Sequence, residues 1–524
     1  MNREELIAPE QYNLASEFEK YTNGTGKKAL IYINKAGEKK EISYDELMEA
    51  SNRAANVFTE NGLRKGDVLL VMMPRMIEAY VTYIGALKAG LVVIPSSEML
   101  RASDIEYRLA HSEAKAIVAF EAFTDQFSEV KNMKDVQLFV VGCAKKEQLS
   151  LTELLKTASS DFKTPATNRE DTAFLSYTSG TTGKPKGVVH THGWGYAHLR
   201  TAGAWLGIEE DDIVWATAAP GWQKWIWTPF LSVLGSGATG IVYDGKFDVN
   251  TYLELINAYS VNVICCTPTE YRFIAKADNL QDYDISSIRS AVSAGEPLNK
   301  EVIAIFDKTF SLNVRDGYGQ TENTLLVGSL LGIEARPGSM GKPTPGNKVE
   351  IIDEEGNPVQ SGEVGDIAVH VSTPALFKAY LKDPERTQTQ FRGDYYVTGD
   401  RAKMDEDGYF WFEGRSDDII ISSGYTIGPF EVEDALTKHP AVRECAVVAS
   451  PDVVRGNVVK AFVVLREPKR KNEEGLIRDL QEHVKKLTAP YKYPRKIEFI
   501  EELPKTASGK TIRVELRKRE QQQQ

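Results

Sequence analysis

The sequence has few of the residues that mark disulfide-bonded and zinc-binding proteins. Its 524 residues include only 4 Cys (Cys143, Cys265, Cys266 and Cys445), and no two of them form a C-x-x-C pair. Neither a disulfide framework nor a cysteine zinc site is therefore indicated. The His pair at residues 190 and 192 has no further ligands beside it, so a metal site is not predicted there either.

Long apolar runs and an excess of positive charge are also missing. The longest apolar stretch, residues 79–95, contains Lys88 and is short for a membrane span. Residues 1–5 do not resemble a signal peptide. A net charge of -11 argues against general binding to nucleic acid or anionic membranes, so anions must be bound by local clusters. We expect a soluble cytoplasmic protein with no nucleic-acid partner and no membrane insertion.

The chain length and the order of apolar segments predict the architecture. A chain of 524 residues is too long for one hydrophobic core, so at least two domains are expected. Apolar strands first alternate with helices, which is typical of βαβ units. We predict an α/β fold whose large N-terminal domain, residues 1–416, has mostly parallel sheets and a small β-subdomain. A small α+β C-terminal domain then covers residues 417–524.

One polar stretch has the composition of an anion-binding loop. Residues 177–187 read Tyr-Thr-Ser-Gly-Thr-Thr-Gly-Lys-Pro-Lys-Gly and directly follow an apolar strand. Glycines let backbone N–H groups approach an anion, while the hydroxyls add donors and the lysines add charge, which suits a polyphosphate. The spacing is not that of a Walker A loop. For a generic run of this composition, a polar surface loop is the alternative interpretation.

The complete string resembles the phosphate loop of the acyl-adenylate-forming enzymes, which include acyl-CoA synthetases, peptide-synthetase adenylation domains and luciferases. Five further strings are similar to motifs of that family and occur in order: Ser-Ala-Gly-Glu-Pro at 293–297, Asp-Gly-Tyr-Gly-Gln-Thr-Glu at 316–322, Tyr-Val-Thr-Gly-Asp at 396–400, Gly-Arg-Ser-Asp-Asp at 414–418 and Pro-Lys-Thr-Ala-Ser-Gly-Lys at 504–510. Each motif alone carries a false-positive risk. Together they cover the chain from the phosphate loop almost to its end.

The resemblance implies an ATP site. ATP contacts fall on Thr178, Ser179, Gly180, Thr181, Thr182, Gly183, Lys184, Lys186, Gly295, Glu296, Pro297, Asp316, Gly317, Tyr318, Gly319, Gln320, Asp400 and Arg415. In this assignment Tyr318 stacks on adenine and Asp400 accepts the ribose hydroxyls. Catalysis is assigned to Lys510, to Thr321 at the α-phosphate, and to Glu322, which holds Mg²⁺, a cation that prefers oxygen ligands.

The resemblance also implies CoA as the acyl acceptor. The small domain rotates about a hinge at Asp417 between two half-reactions. The CoA-binding residues are Ser423, Gly424, Tyr425, Arg455, Tyr491, Lys492 and Tyr493. Gly424 leaves room for the pantetheine chain. This chain departs from the family at Thr426, where an Arg is usual, so a phosphate contact is lost there; Arg455 or Lys505 would have to replace it.

The acyl pocket is assigned to Trp222 and Gly319. Acetate-specific relatives carry Trp at the position of Gly319, so glycine is expected to open the pocket and acetate is not the expected substrate. The Trp-rich run at residues 222–227 predicts an apolar pocket of limited depth, with core packing as the alternative. We expect branched short-chain or medium-chain acids, and aromatic acids stay open. An Asp near Trp222, as in peptide-synthetase adenylation domains, is missing.

The predicted function is that of an AMP-forming acyl-CoA synthetase. A carboxylic acid and ATP give acyl-AMP and pyrophosphate, and CoA then takes the acyl group and releases AMP. Three alternatives stay open: an aryl (benzoate-like) CoA ligase, a luciferase-like oxygenase, and a nucleotide-binding regulator without turnover. Acetylation would remove the charge of Lys510, so a lysine acetyltransferase is a predicted partner. A homodimer is the predicted assembly.

Overall fold

The computed structural model describes residues 1–131, 133–178, 185–277, 279–296, 298, 300–416, 418–422, 425–452, 456–467, 473–505 and 511–522. The chain divides into two compact units. The first unit consists of Met1–Val349 and Val369–Phe391, and the second of Glu350–Ala368 and Arg392–Gln524.

The first unit contains most of the strands. Up to residue 343 they are β1 (Lys28–Ile33), β2 (Lys39–Ser43), β3 (Val68–Met72), β4 (Val92–Pro95), β5 (Ala116–Phe120), β6 (Gln137–Val141), β7 (Leu149–Ser150), β8 (Thr172–Thr178), β9 (Lys186–Thr191), β10 (Ile213–Ala216), β11 (Thr239–Tyr243), β12 (Val263–Cys266), β13 (Ser290–Ala294), β14 (Val314–Gly319), β15 (Leu325–Gly328) and β16 (Lys342–Pro343). The later strands are β17 (Val349–Ile352), β18 (Val364–His370), β19 (Ala379–Tyr380), β20 (Phe391–Arg392), β21 (Tyr395–Met404), β22 (Phe410–Arg415), β23 (Ile420–Ser422), β24 (Tyr425–Ile427), β25 (Val442–Asp452), β26 (Gly456–Leu465) and β27 (Lys496–Phe499).

Helices alternate with these strands along the chain. They are α1 (Ser16–Glu19), α2 (Tyr44–Glu60), α3 (Ile77–Lys88), α4 (Ala102–Ser112), α5 (Leu151–Thr157), α6 (His192–Leu206), α7 (Gln223–Trp225), α8 (Val233–Gly235), α9 (Val249–Ala258), α10 (Pro268–Ile274), α11 (Lys300–Phe310), α12 (Pro384–Thr389), α13 (Pro429–Thr437), α14 (Glu473–Leu487) and α15 (Arg513–Gln522). A π-helix, Ile226–Ser232, lies between α7 and α8 and contains Pro229.

Two large sheets form the first unit. One has the strand order β19-β9-β8-β4-β3-β5-β6-β7. In it β3 to β8 pair in parallel, whereas β8–β9 and β9–β19 are antiparallel. The other sheet has the order β16-β15-β14-β13-β12-β10-β11-β1-β2, with antiparallel pairs only at its two edges. Both sheets are mostly parallel, as the sequence predicts.

The second unit contains smaller sheets. Strands β17-β18-β21-β20 form one sheet, with β22 paired to β21. Strands β23 and β24 form a hairpin, and β25-β26-β27 form a sheet that packs with α13 and α14 around a separate core. The predicted division of the chain near residue 417 differs from this arrangement. Residues 392–416 lie in the second unit because β20, β21 and β22 pair with one another. A mobile domain beginning at residue 417 stays a prediction.

The predicted α/β class is confirmed, and several local signals are accurate. Ser43 caps helix α2 and forms a capping box with Glu46, as the Ser-x-x-Glu spacing indicates. The apolar run at residues 79–95 contains most of α3 and all of β4, both buried, and the Lys88 ammonium pairs with Glu19. Among the described residues, none of the helices combines the length and the apolar character needed to cross a membrane.

Helices α2 and α3 approach each other closely at Gly85. A Cβ atom built on Gly85 would lie 2.7 Å from Ala54 Cβ and 2.9 Å from the Ser51 carbonyl oxygen. Gly203 in α6 is also helical, but a Cβ atom there would meet no atom within 4 Å. Gly203 can therefore serve as the control for a substitution at Gly85, since both glycines are helical and only Gly85 lacks room for a methyl group.

We predict that Gly85→Ala lowers the free energy of unfolding by about 1–3 kcal/mol, because the added methyl overpacks the helix contact. Gly203→Ala should instead raise it by up to about 1 kcal/mol, because alanine favours the helix. Urea denaturation of both variants checks this, and equal midpoints would contradict the close approach.

Candidate active site

Three of the predicted loops begin at the ends of strands. The phosphate loop follows β8 at Thr178, and the adenine loop follows β13 at Ala294. The motif at residues 316–322 begins within β14. Strands β13 and β14 are parallel neighbours, with Ala294 paired to Gly317, so their loops meet at one sheet edge. Strand β8 belongs to the other large sheet, which sequence periodicity could not indicate.

The Trp-rich segment connects the two sheets near these loops. The Ser176 hydroxyl on β8 donates to the side-chain oxygen of Gln223. The next residue, Lys224, donates its ammonium to the Ala294 carbonyl oxygen at 2.7 Å, at the end of β13. Trp225 is only 1% exposed and packs on Phe230 with ring centroids 5.3 Å apart. Trp225 is therefore a core residue, which is the alternative interpretation of the Trp-rich run at this position.

A buried ion pair lies at the centre of the described site. Lys186 Nζ is 2.6 Å from Glu322 Oε1, and the Glu322 side chain is 8% exposed. Tyr380 Oη donates to the same carboxylate oxygen at 2.8 Å and accepts from Lys186 Nζ at 2.7 Å. Tyr380 lies far along the chain, yet its strand β19 pairs with β9, which carries Lys186. The three polar groups therefore satisfy one another.

Glu322 also fits a magnesium role. Mg²⁺ is usually held by one or two carboxylates together with substrate phosphates. Glu322 supplies one buried carboxylate directly after Thr321. Among the described residues there is no cluster of three or more metal-binding side chains, so a cation here would need oxygens from the nucleotide.

The carboxyl group of Asp316 is strongly perturbed. Burial raises its pKa to about 7, although backbone N–H groups and the charge of Lys224 act in the opposite direction. Those donors are Gly317 N at 2.9 Å and Leu298 N at 3.4 Å. The Trp205 indole donates to the Asp316 carbonyl oxygen at 3.0 Å and fixes this end of β14.

The adenine-loop carboxylate has partners within the first unit. Glu296 Oε2 is 3.0 Å from the Arg272 guanidinium and 3.3 Å from the Thr269 hydroxyl. Gly295 has a φ of +105°, a conformation that side chains rarely adopt, which explains glycine at this position.

The predicted ribose residues face each other in the second unit. Asp400 on β21 and Arg415 on β22 are cross-strand partners, with 3.9 Å between Arg415 Nη1 and Asp400 Oδ1. Asp400 is only 5% exposed, and its N–H donates to the Thr398 hydroxyl at 3.2 Å. The oxygens of this buried carboxylate can accept hydrogen bonds from ribose hydroxyls.

The predicted CoA residues that can be described lie on the second unit. Lys492 pairs with Glu431, and its ammonium lies 5.6 Å from the ring centroid of Tyr491. Tyr491 is 38% exposed. Tyr493 instead packs against the core, and its hydroxyl accepts from Arg495 at 2.6 Å.

Lys505, a candidate to replace the cation missing at Thr426, pairs with Glu444 at 2.6 Å. An ammonium group that is already paired with a carboxylate is less available to bind a phosphate.

Two protein-family models together match most of the chain. A family model described as AMP-binding enzyme matches residues 18–381, and one described as AMP-binding enzyme C-terminal domain matches residues 431–510. The chain belongs to the AMP-binding enzyme family. The resemblance inferred from its six motifs is thereby confirmed.

Individual relatives match this AMP-binding enzyme over nearly its full length. An acyl–CoA ligase of Bacillus subtilis (strain 168), described as uncharacterized, is 61% identical over 100% of this chain and 98% of its own. The mitochondrial acyl-coenzyme A synthetase ACSM3 of Rattus norvegicus is 42% identical over 98% of this chain and 91% of its own. The crystal structure of the anthranilate CoA ligase AuaEII in complex with anthranoyl-AMP superposes with a TM-score of 0.89 at 29% identity and covers 98% of both chains.

Part of the predicted site lies outside the described residues. These positions are Ser179, Gly180, Thr181, Thr182, Gly183, Lys184, Pro297, Asp417, Ser423, Gly424, Arg455 and Lys510. The side chains of Tyr425 and Thr426 are not described either, although their strand β24 is. Their assigned roles stay predictions.

The sequence analysis does not identify several residues that lie at the candidate site of this protein. Tyr380 and Lys224 belong to no recognised motif, and no local pattern singles them out. The sequence pattern presents His190 only as half of a possible metal-binding His pair. In the structure its Nε2 is 2.6 Å from the Thr321 carbonyl oxygen. Contacts between distant segments carry these roles, so spacing alone could not find them.

Gly319 differs from its predicted surroundings. A Cβ atom there would lie 2.1 Å from the Thr324 carbonyl oxygen, because β14 is bulged between Tyr318 and Gly319 where it meets β15. The absent side chain thus leaves room for backbone in this structure. Gly319 as part of the acyl pocket stays a prediction.

We predict that Gly319→Trp lowers activity on short and long acids in parallel, because the turn carrying Thr321 and Glu322 must move. A steady-state panel of acids checks this. Trp222→Leu is the comparison variant, since it removes a ring assigned to the acyl pocket and should change kcat/KM unequally across acids. A selective shift towards acetate in Gly319→Trp would restore the pocket-filling interpretation.

Three buried His residues make stability depend on pH. Burial lowers the pKa of His190, His192 and His198 to about 4 in each case. The unfolded chain, with an ordinary pKa near 6.5, therefore binds more protons as the pH falls from about 6.5 to about 4. Stability is unaffected by these groups above that window and falls within it.

We predict that each His costs on the order of 1–3 kcal/mol of unfolding free energy by the acid end of this window. His192→Asn, which can still accept from the Leu14 N–H, should show a shallower decline in urea midpoint than the unmodified protein. Identical slopes for the two proteins would contradict the assigned protonation. Comparing them cancels the common contribution of the carboxylates.

Proposed function

We propose that this acid–thiol ligase activates a branched short-chain or medium-chain carboxylic acid, in preference to acetate, and transfers the acyl group to CoA. The observation that carries the adenylation chemistry is the Lys186–Glu322–Tyr380 cluster beside the strand that leads out of the phosphate loop. The preference for these acids follows from the assignment of Trp222 and Gly319 to the acyl pocket. The Bacillus subtilis acyl–CoA ligase and the rat acyl-coenzyme A synthetase, at 61% and 42% identity, support the reaction class.

The first half-reaction forms an acyl-adenylate. An oxygen of the carboxylic acid attacks the α-phosphorus of ATP, and the bond to the bridging oxygen breaks with release of pyrophosphate. Negative charge grows on the phosphoryl oxygens in this step, so fixed cations and donors lower the barrier. Lys186, Thr321 and Lys510 are the residues assigned to these oxygens. Glu322 would hold Mg²⁺, which neutralises phosphate charge when bound.

The second half-reaction forms the thioester. The CoA thiolate attacks the acyl carbonyl carbon, and AMP leaves with the electron pair of the mixed anhydride bond. This step needs the thiol rather than Lys510 at the reacting carbon. Rotation of residues 417–524 about Asp417, with pantetheine passing Gly424, would exchange the two.

We predict that Lys510→Ala slows acyl-adenylate formation by orders of magnitude, because it removes a charge from the transition state. Thioester formation from supplied acyl-adenylate and CoA should stay nearly unchanged. Pyrophosphate release and thioester appearance, measured separately, check both expectations. Equal damage to the two half-reactions would remove Lys510 from its assigned role.

A panel of acids tests the substrate proposal. Acetate, propionate, isobutyrate, 2-methylbutyrate, hexanoate, octanoate and benzoate are compared by CoA-dependent AMP release at equal ATP. The highest kcat/KM should fall on a branched short or a medium-chain acid. A maximum for acetate would overturn the proposal. Pyrophosphate release without CoA dependence would favour a luciferase-like enzyme, and no release with any acid would favour a binding protein.

An aromatic acid is the second candidate. The structural likeness to the anthranilate CoA ligase, with a TM-score of 0.89, favours it. Benzoate and anthranilate in the same panel decide between the two, since only an aryl ligase would prefer them.

Regulation, assembly and location complete the proposal. A lysine acetyltransferase that modifies Lys510 would abolish the charge used in adenylation. Mass spectrometry of protein from cells with low enzyme activity tests this, and finding only unmodified Lys510 would contradict it. The homodimer is tested by light scattering of the purified protein, and the cytoplasmic location by cell fractionation.

A further inference from the structure

The turn that carries Thr321 and Glu322 is held by side chains of another segment. Between β14 and β15, residues 320–324 form this turn. The Thr321 carbonyl oxygen is 2.6 Å from His190 Nε2, and the Trp194 indole donates to the Asn323 carbonyl oxygen at 2.9 Å. The Thr324 hydroxyl lies 2.5 Å from His198 Nδ1. Three contacts in succession thus fix a turn whose carbonyl groups lie outside the sheet ladder.

The three side chains form one continuous stack. Trp194 and His198 are four residues apart on α6 and so share one face of that helix, and His190 lies on β9 just before it. The rings of His190 and Trp194 lie 4.3 Å apart, and those of Trp194 and His198 lie 5.7 Å apart and nearly parallel. All three residues are at most 2% exposed. We call this stack of His190, Trp194 and His198 the ladder.

The far end of the ladder contacts the Trp-rich segment. His198 Nε2 is 2.8 Å from the Trp227 carbonyl oxygen and 3.2 Å from the Ser232 hydroxyl. Both residues belong to the π-helix, a rare conformation that is frequent at functional sites. Because a carbonyl oxygen only accepts, His198 must carry its proton on Nε2, and Nδ1 then accepts from Thr324. His190 likewise donates from Nε2.

We propose that His190, Trp194 and His198 are positioning residues for adenylation, which hold the 320–324 turn in register with the π-helix. The inference rests on the proposed roles of Thr321 at the α-phosphate and Glu322 at the cation. Groups that act on a transferring phosphoryl centre must be held closely, since a displacement of about 1 Å can cost about 100-fold in rate. Residues that orient such groups typically contribute about 10–100-fold.

Amide replacements at His190 separate this role from packing. A Gln amide reaches the position of Nε2 and can still donate to the Thr321 carbonyl oxygen, whereas the shorter Asn reaches only the position of Nδ1. We expect His190→Asn to lower kcat for pyrophosphate release by about 10–100-fold, with smaller changes in KM for ATP and acid. His190→Gln should recover most of that rate.

The control is a buried His outside the ladder. His192 Nδ1 accepts from the Leu14 N–H at 3.0 Å, and Asn can replace that acceptor. His192→Asn should leave kcat for adenylation unchanged. In all variants the thioester step from supplied acyl-adenylate should be slowed less than adenylation, because no bond to phosphorus forms in it.

A double-mutant cycle tests the contact at the other end of the ladder. Thr324→Val and His198→Gln each remove the bond between Thr324 and His198, while Gln retains a donor for the Trp227 carbonyl oxygen. Their effects on adenylation kcat should be strongly non-additive, so the double variant is little slower than either single one. These milder variants, with Trp194→Phe, also serve if His190→Asn does not fold.

The outcomes are distinguishable. Equal rates for His190→Gln and His190→Asn, additive effects in the cycle, or equal losses in both half-reactions would overturn the positioning role and leave a structural one. A thermal melt of each variant before the kinetics checks that the variant is folded at the assay temperature. If the unmodified enzyme releases no pyrophosphate with any acid, the proposed function fails, independently of the variants.

Discussion

The carboxylate of Glu322 imposes a requirement on everything packed around it. An ionised carboxylate that is 8% exposed needs a countercharge and donors, because a buried charge without partners is strongly destabilising. Lys186 and Tyr380 meet this need, and the sheet explains how they come together. Tyr380 on β19 is opposite Val188 on β9, and Lys186 is two residues earlier on the same face. Strand pairing between segments 194 residues apart thus brings the Tyr380 hydroxyl beside Lys186.

The same requirement bears on the two strands that flank the predicted phosphate loop. Strands β8 and β9, which flank residues 179–184, pair antiparallel from Thr172 to Thr191. The pairing fixes both ends of the loop and points Lys186 towards Glu322, while β8 continues the parallel part of the sheet beside β4. Periodicity predicted β8 but not this hairpin, because Gly, Thr and Lys between the strands indicate an anion-binding loop rather than a tight turn.

What the sequence predicts well is whatever depends on neighbours in the chain. The Ser43 cap, the buried helix α3 and the strands ahead of the three loops all follow from local spacing, and the family motifs locate Glu322, Asp400 and Arg415. What it misses depends on contacts between distant segments. Tyr380 reaches Glu322 through β19, and Lys224 reaches Ala294 from the Trp-rich run. Gly319 shows a further limit, since its spacing in the motif could not indicate that a Cβ atom there would meet the Thr324 carbonyl oxygen.

The Glu322 carboxylate and the 320–324 turn are held by two different kinds of contact, and the difference has a physical reason. Glu322 is held by a charge and by a neutral hydroxyl, and its partners must change if a nucleotide and a cation bind there. The 320–324 turn is held instead by His190, Trp194 and His198, which are neutral because burial keeps the pKa of both His residues at about 4. Neutral hydrogen bonds respond weakly when nearby charges are rearranged, whereas an ion pair responds strongly. The turn can therefore keep its position while the charges at its carboxylate are exchanged, which suits a site that must bind ATP first and then hold the acyl-adenylate.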